Sequence, residues 1–247
     1  MKLFLFLLLA CSARAENLSF SNLLAQGGVF EQSGNVAEAF KFYSQAEPLT
    51  TNSVDLCGLT KHYCDLMHDA GSPTLEKALA EKALACAFSA VKADPKSATA
   101  HLCVAVSYVK NFPYADNKTK VSWSKKIKTE CETAITLDPQ QDVSFYLLGR
   151  WHFDVANMNF LIKGLVKIIY GGLPPASNAA AIENFKHAIA LNPNRIIHHV
   201  ELAKVYAAIG EKKLAVAEWE KCGVLKPIDR DDAAAQKEAE QQLAKLR

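Results

Sequence analysis

No apolar run in this chain reaches the ~20 residues that a helix needs to cross a bilayer. The nearest approaches are residues 3–10 and the stretch 160–170, and the second is interrupted by Lys163 and Lys167. No stretch of useful length alternates apolar and polar residues with the period of two that marks a half-buried strand, so a sheet-based fold is excluded. Catalytic signatures are missing as well. There is no G-x-S-x-G, no H-E-x-x-H, no phosphate-binding glycine loop closing on Lys-Ser/Thr, and no G-x-G-x-x-G. No residue is assigned to catalysis, and no enzyme activity is expected.

An excess of one charge is absent too. The chain has 28 basic and 26 acidic residues, a net charge of +2. Such a balance gives no electrostatic footprint for nucleic acid and no polybasic membrane signal. Paired metal-ligand spacings are lacking: no C-x-x-C and no paired H-x-x-x-H accompanies Cys57, Cys64 and His68, which share one helical stripe. No metal and no cofactor is therefore assigned.

What is present begins with four prolines behind near-identical helical tails. They are Pro95, Pro139, Pro193 and Pro227, closing the segments 83–95, 127–139, 181–193 and 215–227. Twelve residues before each proline stands Ala83, Ile127, Ala181 or Ala215. Eight before stands Ala87, Cys131, Phe185 or Trp219, and five before stands Ala90, Ala134, Ala188 or Cys222. The last two prolines are 34 residues apart, the period of the tetratricopeptide helix–turn–helix unit, and the other gaps, 44 and 54, are that period with an insertion. Small residues let two helices approach closely, a larger one fills the groove they leave, and the proline ends the turn. Such a unit cannot bury its apolar face alone and must stack on neighbours.

The pattern predicts an all-α, tetratricopeptide-like right-handed superhelix of antiparallel helix pairs. The pairs are expected at 21–33 with 36–46, 54–69 with 74–93, 98–110 with 120–137, 142–156 with 179–191, and 195–209 with 212–224. A polar loop is expected over 111–118, an insertion over 157–178 and a capping helix over 229–246. Ser72 reads as an N-cap with Pro73 at the first helical position. Ala181 and Ala188 are expected at the tight contact of the fourth pair, with Phe185 filling the groove toward the fifth. The apolar run of the insertion reads as a helix packed into the solenoid groove; the alternatives are an interfacial membrane helix or a lid over an apolar ligand.

The first fifteen residues read differently. Lys2 precedes the apolar run 3–10, and Ala13-Arg14-Ala15 has the A-x-A form of a cleavage site before Glu16. A signal peptide over 1–15 is expected, with 16–247 as a single exported solenoid domain, periplasmic or secreted. Leu8-Leu9-Ala10-Cys11 supplies the alternative, a lipid anchor on Cys11. Cleavage removes Lys2 and Arg14 and no acid, leaving 26 basic and 26 acidic residues. Of seven cysteines, six remain. Cys103, Cys131 and Cys222 fall where the repeat wants small packed residues, so buried free thiols are expected; a Cys86–Cys103 or Cys57–Cys86 bridge is the alternative.

The segment Leu147-Leu148-Gly149-Arg150-Trp151-His152-Phe153, followed by the insertion ending Gly172-Leu173-Pro174-Pro175-Ala176-Ser177, resembles the regulator of microtubule dynamics family. The likeness extends over roughly residues 50–225 and is most specific in the fourth repeat. That family is built on tetratricopeptide-like repeats, and its animal members are implicated in binding microtubules and, for some, in membrane contact sites. The resemblance implies a non-enzymatic adaptor whose concave face binds a segment of a partner protein. This chain departs from the family at its N-terminus, where an export signal stands in place of cytoplasmic or mitochondrial addressing. The competing class is a carrier of a lipid or other apolar ligand in a groove bordered by residues 160–170. Candidate partner- or ligand-binding residues are Arg150, Trp151, Phe160, Lys163, Lys167, His198 and His199. Trp151 reads first as packed core, and the two histidines, which do not converge on one face, read first as packing or polar-groove residues.

Overall fold

The computed structural model describes residues 19–245. The expected cleavage site, Cys11 and the last two residues lie outside that range. Every regular element among the described residues is helical: twelve α-helices joined by turns and three short 3-10 segments. The chain divides into two compact units, Met1–Thr50 and Thr51–Arg247.

In the first unit, α1 (Phe20–Gln32) and α2 (Val36–Ala46) form a hairpin. The turn runs through Gly34 at φ +75°, a backbone region that glycine enters without steric cost. Ser19 and Asn35 cap the two helices, accepting from the amides of Asn22 (3.2 Å) and Glu38 (3.3 Å). Gly27 sits against the ring of Tyr43, where an added Cβ would come within 2.3 Å. The tyrosine is fully buried on that bare patch of backbone, which is how the pair closes.

The second unit stacks helix pairs. They are α3 (Ser53–Leu66) with α4 (Pro73–Ala93), α5 (Ala98–Asn111) with α6 (Asn117–Leu137), and α7 (Asp142–Ala156) with α9 (Asn178–Leu191). Helix α8 (Phe160–Tyr170) belongs to the insertion within the third of these pairs. Helices α10 (Ile196–Ala208) and α11 (Lys212–Val224) follow, and α12 (Arg230–Ala244) closes the unit.

The repeat register read from the prolines holds in space. All twelve small, large and small positions before Pro95, Pro139, Pro193 and Pro227 are buried, from Ala83 to Cys222. Three of the tails end alike: the amides of Asp94, Asp138 and Asn192 donate to the carbonyls of Ala90, Ala134 and Ala188 at 3.0, 2.8 and 2.9 Å. Asp94 and Asp138 then accept from the amides of Lys96 (3.0 Å) and Gln140 (2.9 Å), turning the chain into the next helix. Ser72 caps α4 as expected, accepting from the Leu75 amide at 3.3 Å, with Pro73 opening the helix.

The 111–118 segment is shorter as a loop than expected. Phe112–Tyr114 forms a 3-10 turn, and Asp116 caps α6 from Asn117 onward by accepting from the Thr119 amide at 2.7 Å. Six cysteines, Cys57, Cys64, Cys86, Cys103, Cys131 and Cys222, are free thiols. Burial pushes Cys64 up to about 11 and Cys222 to about 12.

Helix α12 acts as a cap through specific bonds. Asp232, fully buried, accepts from the Ile197 amide (3.1 Å) in the first turn of α10 and from the Ile228 amide (3.3 Å). Gln236 donates to the carbonyls of Cys222 (2.7 Å) and Leu225 (2.9 Å) at the end of α11. One helix thus satisfies orphan donors of α10 and orphan acceptors of α11.

Candidate functional site

In the second unit the first helices of successive pairs touch one another: α3 meets α5, α5 meets α7, α7 meets α10, and α10 meets α12. They form one wall, and the side chains they turn away from their own partner helices are the surface it offers. On α7 a stripe of period four carries Tyr146, Arg150 and Asp154. Arg150 donates from Nη1 to the Tyr146 hydroxyl at 3.4 Å, and its Nε lies 3.8 Å from Glu201 Oε2 on α10. Glu201, itself buried, also takes Lys204 Nζ at 3.0 Å, and Lys204 reaches Glu238 of α12 at 2.8 Å. A chain of alternating charges therefore links α7, α10 and α12.

Asp154 is exposed at the side-chain level, and desolvation by the surrounding protein raises its carboxyl above the usual range, against the pull of Arg150. Burial likewise raises the half-exposed Tyr146 phenol. Asp154, four residues on, is the acid within reach of Arg150 along the same helix. The ion pair forms instead with Glu201, 51 positions further along the chain. Tyr146, Glu201, Lys204 and Glu238 were not singled out. The stripe 146–150–154 was readable, but its pairing across helices was not.

Three expected site residues lie elsewhere. Trp151 is 5 % exposed and donates from Nε1 to the Ser124 carbonyl (2.8 Å) and hydroxyl (3.0 Å) on α6, so it ties α7 to α6 within the packed core. His198 is buried, with Nε2 2.9 Å from Asp142 Oδ2. His199 is buried too, its Nδ1 2.7 Å from Glu218 Oε2 and its Nε2 2.9 Å from the Pro193 carbonyl. Neighbours on a helix point about 100° apart, and these two face different helices, α7 and α11.

The His199 arrangement occurs twice. His101 stands six residues after Pro95 as His199 stands six after Pro193, and it too bonds the proline carbonyl (3.0 Å) and a second-helix glutamate, Glu130 (2.6 Å). This histidine tie recurs after two of the four prolines. Among the described residues, no group of three or more His, Cys, Asp or Glu side chains could hold a metal.

The Asp142–His198 bond has a consequence for pH. Asp142 also accepts from Asn192 Nδ2 at 3.1 Å, and the His198 bond leads in holding its carboxyl below the usual range. Its contribution to stability is complete above the unfolded carboxylate pKa of about 4. That contribution is lost as pH falls through the lowered folded value. Asp142→Asn is expected to flatten part of the acid limb of a stability–pH profile while lowering stability at neutral pH. An unchanged acid limb in urea melts would show that the bond contributes nothing.

The expected site residues on the insertion, Phe160, Lys163 and Lys167, are all exposed on α8. The expectation that this helix packs into the groove is corrected by the structure: none of its residues is buried. Its C-terminal end rests on α6, where Lys125 Nζ donates to the Tyr170 carbonyl at 3.3 Å.

A sequence profile for regulator of microtubule dynamics protein 1-3 matches residues 23–247. The chain belongs to that family. It is 26% identical over 233 residues to regulator of microtubule dynamics protein 1 of Bos taurus, covering 94% of this chain and 73% of that one. It is 26% identical over 212 residues to protein 2 of Homo sapiens, covering 83% and 45%. With protein 2 of Macaca fascicularis it shares 28% over 165 residues, 64% of this chain and 39% of the relative. The chain thus spans less than half the length of these protein 2 relatives. Among solved structures it is similar to TTC0263, a thermophilic TPR protein in Thermus thermophilus, with TM-score 0.61, 18% identity, and coverage of 90% and 100%. It is also similar to MamA, with TM-score 0.51, 18% identity, and coverage of 92% and 94%. These likenesses establish the tetratricopeptide fold.

In this family member the residues that carry the resemblance serve the packing. Gly149 leaves space for the ring of Phe185, which an added Cβ would meet at 3.0 Å. After the insertion, Leu173 and Ala176 pack on the core of α5, α6 and α7, and Ser177 caps α9 by accepting from the Ala180 amide at 3.1 Å.

Proposed function

We propose that this protein is a non-enzymatic interaction scaffold whose α7–α10 wall takes a segment of a partner protein. The observation that carries the reading is the cluster of exposed Arg150 and Asp154 with half-buried Tyr146 and Lys204, which joins an aromatic ring to charges of both signs. Such a surface suits an extended or helical peptide, with Arg150 and Lys204 for its carboxylates or carbonyls and Asp154 for its donors. Family membership and the repeat fold agree with this class. The relatives' name concerns microtubule dynamics, a setting that an exported protein would not meet. The signal-like N-terminus favours export after Ala15, which would place the scaffold among periplasmic or secreted partners.

The test is capture from the host with the full-length protein and with Arg150→Ala/Asp154→Ala. A partner held by the parent is expected to lose at least tenfold in affinity, about 1.4 kcal/mol, with the melting temperature little changed. Equal capture by both proteins would remove the patch from consideration.

A second reading, carrier of a lipid or other apolar ligand, is favoured by the uncovered apolar side chains of α8. An open depression of about 610 Å³ does exist, but it is lined by residues such as Met67, His68, Ser72, Glu76, Lys110 and Pro113 and by none of α8. Native mass spectrometry of protein purified from its host separates the readings: a retained lipid supports the carrier.

A further inference from the structure

Helix α8 leaves a continuous apolar face uncovered while both its ends are fixed. At 100° per residue, Ile168, Leu161, Leu165, Ile169, Ile162 and Val166 occupy one arc of about 160°. Lys163 and Lys167 stand together on the opposite side. Along the arc, side-chain exposure runs from 53% at Ile162 to 83% at Ile168; Val166 and Tyr170, at the edge toward α6, are half-buried.

The helix is held in this pose. Asn159 caps it by accepting from the Leu161 amide at 2.9 Å. Gly171 and Gly172, both at positive φ, close it by donating to the Lys167 and Val166 carbonyls, each at 3.1 Å. Asn157 Nδ2 donates to Asn178 Oδ1 at 2.7 Å across the base of the insertion. An apolar face so uncovered and so well anchored marks a contact surface.

Charge decides what covers it. Residues 157–178 contain two lysines and no acid. The first half of α6, on which the end of α8 rests, carries Lys118, Lys120, Lys125 and Lys126 between residues 117 and 127, again with no acid; Lys128, beyond them, is paired with Glu132. The chain's near-neutral total conceals this cluster, which the sequence reading passed over. A short amphipathic helix with an all-aliphatic face, lysines opposite and a basic support has the chemistry of an interfacial helix on anionic lipid. Eleven residues rise only about 16 Å, too short to span the hydrocarbon core, so the helix would lie in the plane of the headgroups.

We propose that α8 docks this protein on the surface of an anionic bilayer, with Leu161, Leu165, Ile168 and Ile169 inserted and Lys163 and Lys167 at the headgroups. The inference stands apart from the scaffold reading, because the α7–α10 patch takes no part in it.

Co-sedimentation of the full chain with vesicles of phosphatidylcholine alone, or mixed with phosphatidylglycerol, tests it. The parent is expected to bind the mixed vesicles at least ~tenfold more tightly than the neutral ones and to weaken with salt. Leu165→Glu/Ile168→Glu and, separately, Lys163→Glu/Lys167→Glu are expected to lose at least ~tenfold. All four positions are exposed, so folding should survive, and circular dichroism checks that. The apolar run 3–10 is present in every variant, so only differences are read. Equal binding by parent and variants, or no binding by the parent, overturns the proposal. So does self-association by light scattering that Leu165→Glu/Ile168→Glu abolishes while vesicles remain unbound; that result would assign the face to a second copy.

Discussion

Phe185→Ala is expected to destabilise the protein by about 3–5 kcal/mol, lost burial and a residual cavity acting together. The ring is fully buried. It lies against the backbone of Gly149 on α7, packs near Tyr146 at 6.2 Å between centroids, and joins the core shared with Ile196, Val200 and Ala203 of α10. One wall of the vacated space would be bare helix backbone, with no side chain at Gly149 to swing into it. The cavity would therefore relax little, which argues for the upper part of the range. Because a solenoid passes stability between neighbours, hydrogen-exchange protection of residues 196–224 should fall as well. A double-mutant cycle with Gly149→Ala gives the sharper reading. Alone, Gly149→Ala forces a Cβ to 3.0 Å from the ring and should cost stability; in the Phe185→Ala background that clash is gone, so the two costs should not add. A loss below about 1 kcal/mol for Phe185→Ala, or additive effects, would mean the register drawn from the four prolines does not describe this contact.

Asp232→Ala should be of comparable size, about 3–5 kcal/mol, for a different reason. Asp232 is fully buried, accepts from the amides of Ile197 and Ile228, and lies 3.3 Å from Arg195 Nη1. Arg195 keeps Asp229 at 2.6 Å, so the variant would not strand that guanidinium completely. The amides fare worse, since the first turn of α10 would lose the side-chain acceptor that α12 supplies. Asp232→Asn keeps the shape and one acceptor and should cost about 1–3 kcal/mol. Chemical denaturation ranks the variants, and exchange of the Ile197 amide locates the effect. If Asp232→Ala stays within about 0.5 kcal/mol of the parent, α12 is an appended helix that does not close the stack.

The repeat was legible because its information is local. The spacing of Ala181, Phe185, Ala188 and Pro193 lies within one turn-and-helix segment, and a period of 3.6 residues decides which of them share a face. Helix ends were legible for the same reason: Ser72 with Pro73 is a cap that needs no distant partner. The family resemblance drew on the same local strings around Gly149 and Ser177.

What escaped the sequence depends on residues far apart in the chain. Arg150 pairs with Glu201 on another helix, although an acid four places away was available. His198 and His199 were readable as packed residues on different faces, but not the distant acids that draw each inward, Asp142 and Glu218. The apolar run 160–170 is the clearest case. Its composition determined that a helix would form and that the helix would be too short to cross a membrane. Whether its face would be buried depended on what the rest of the fold placed beside it, and α6 covers only the edge at Val166 and Tyr170. Periodicity sets which side chains share a face, whereas the partner that covers a face is chosen by tertiary packing.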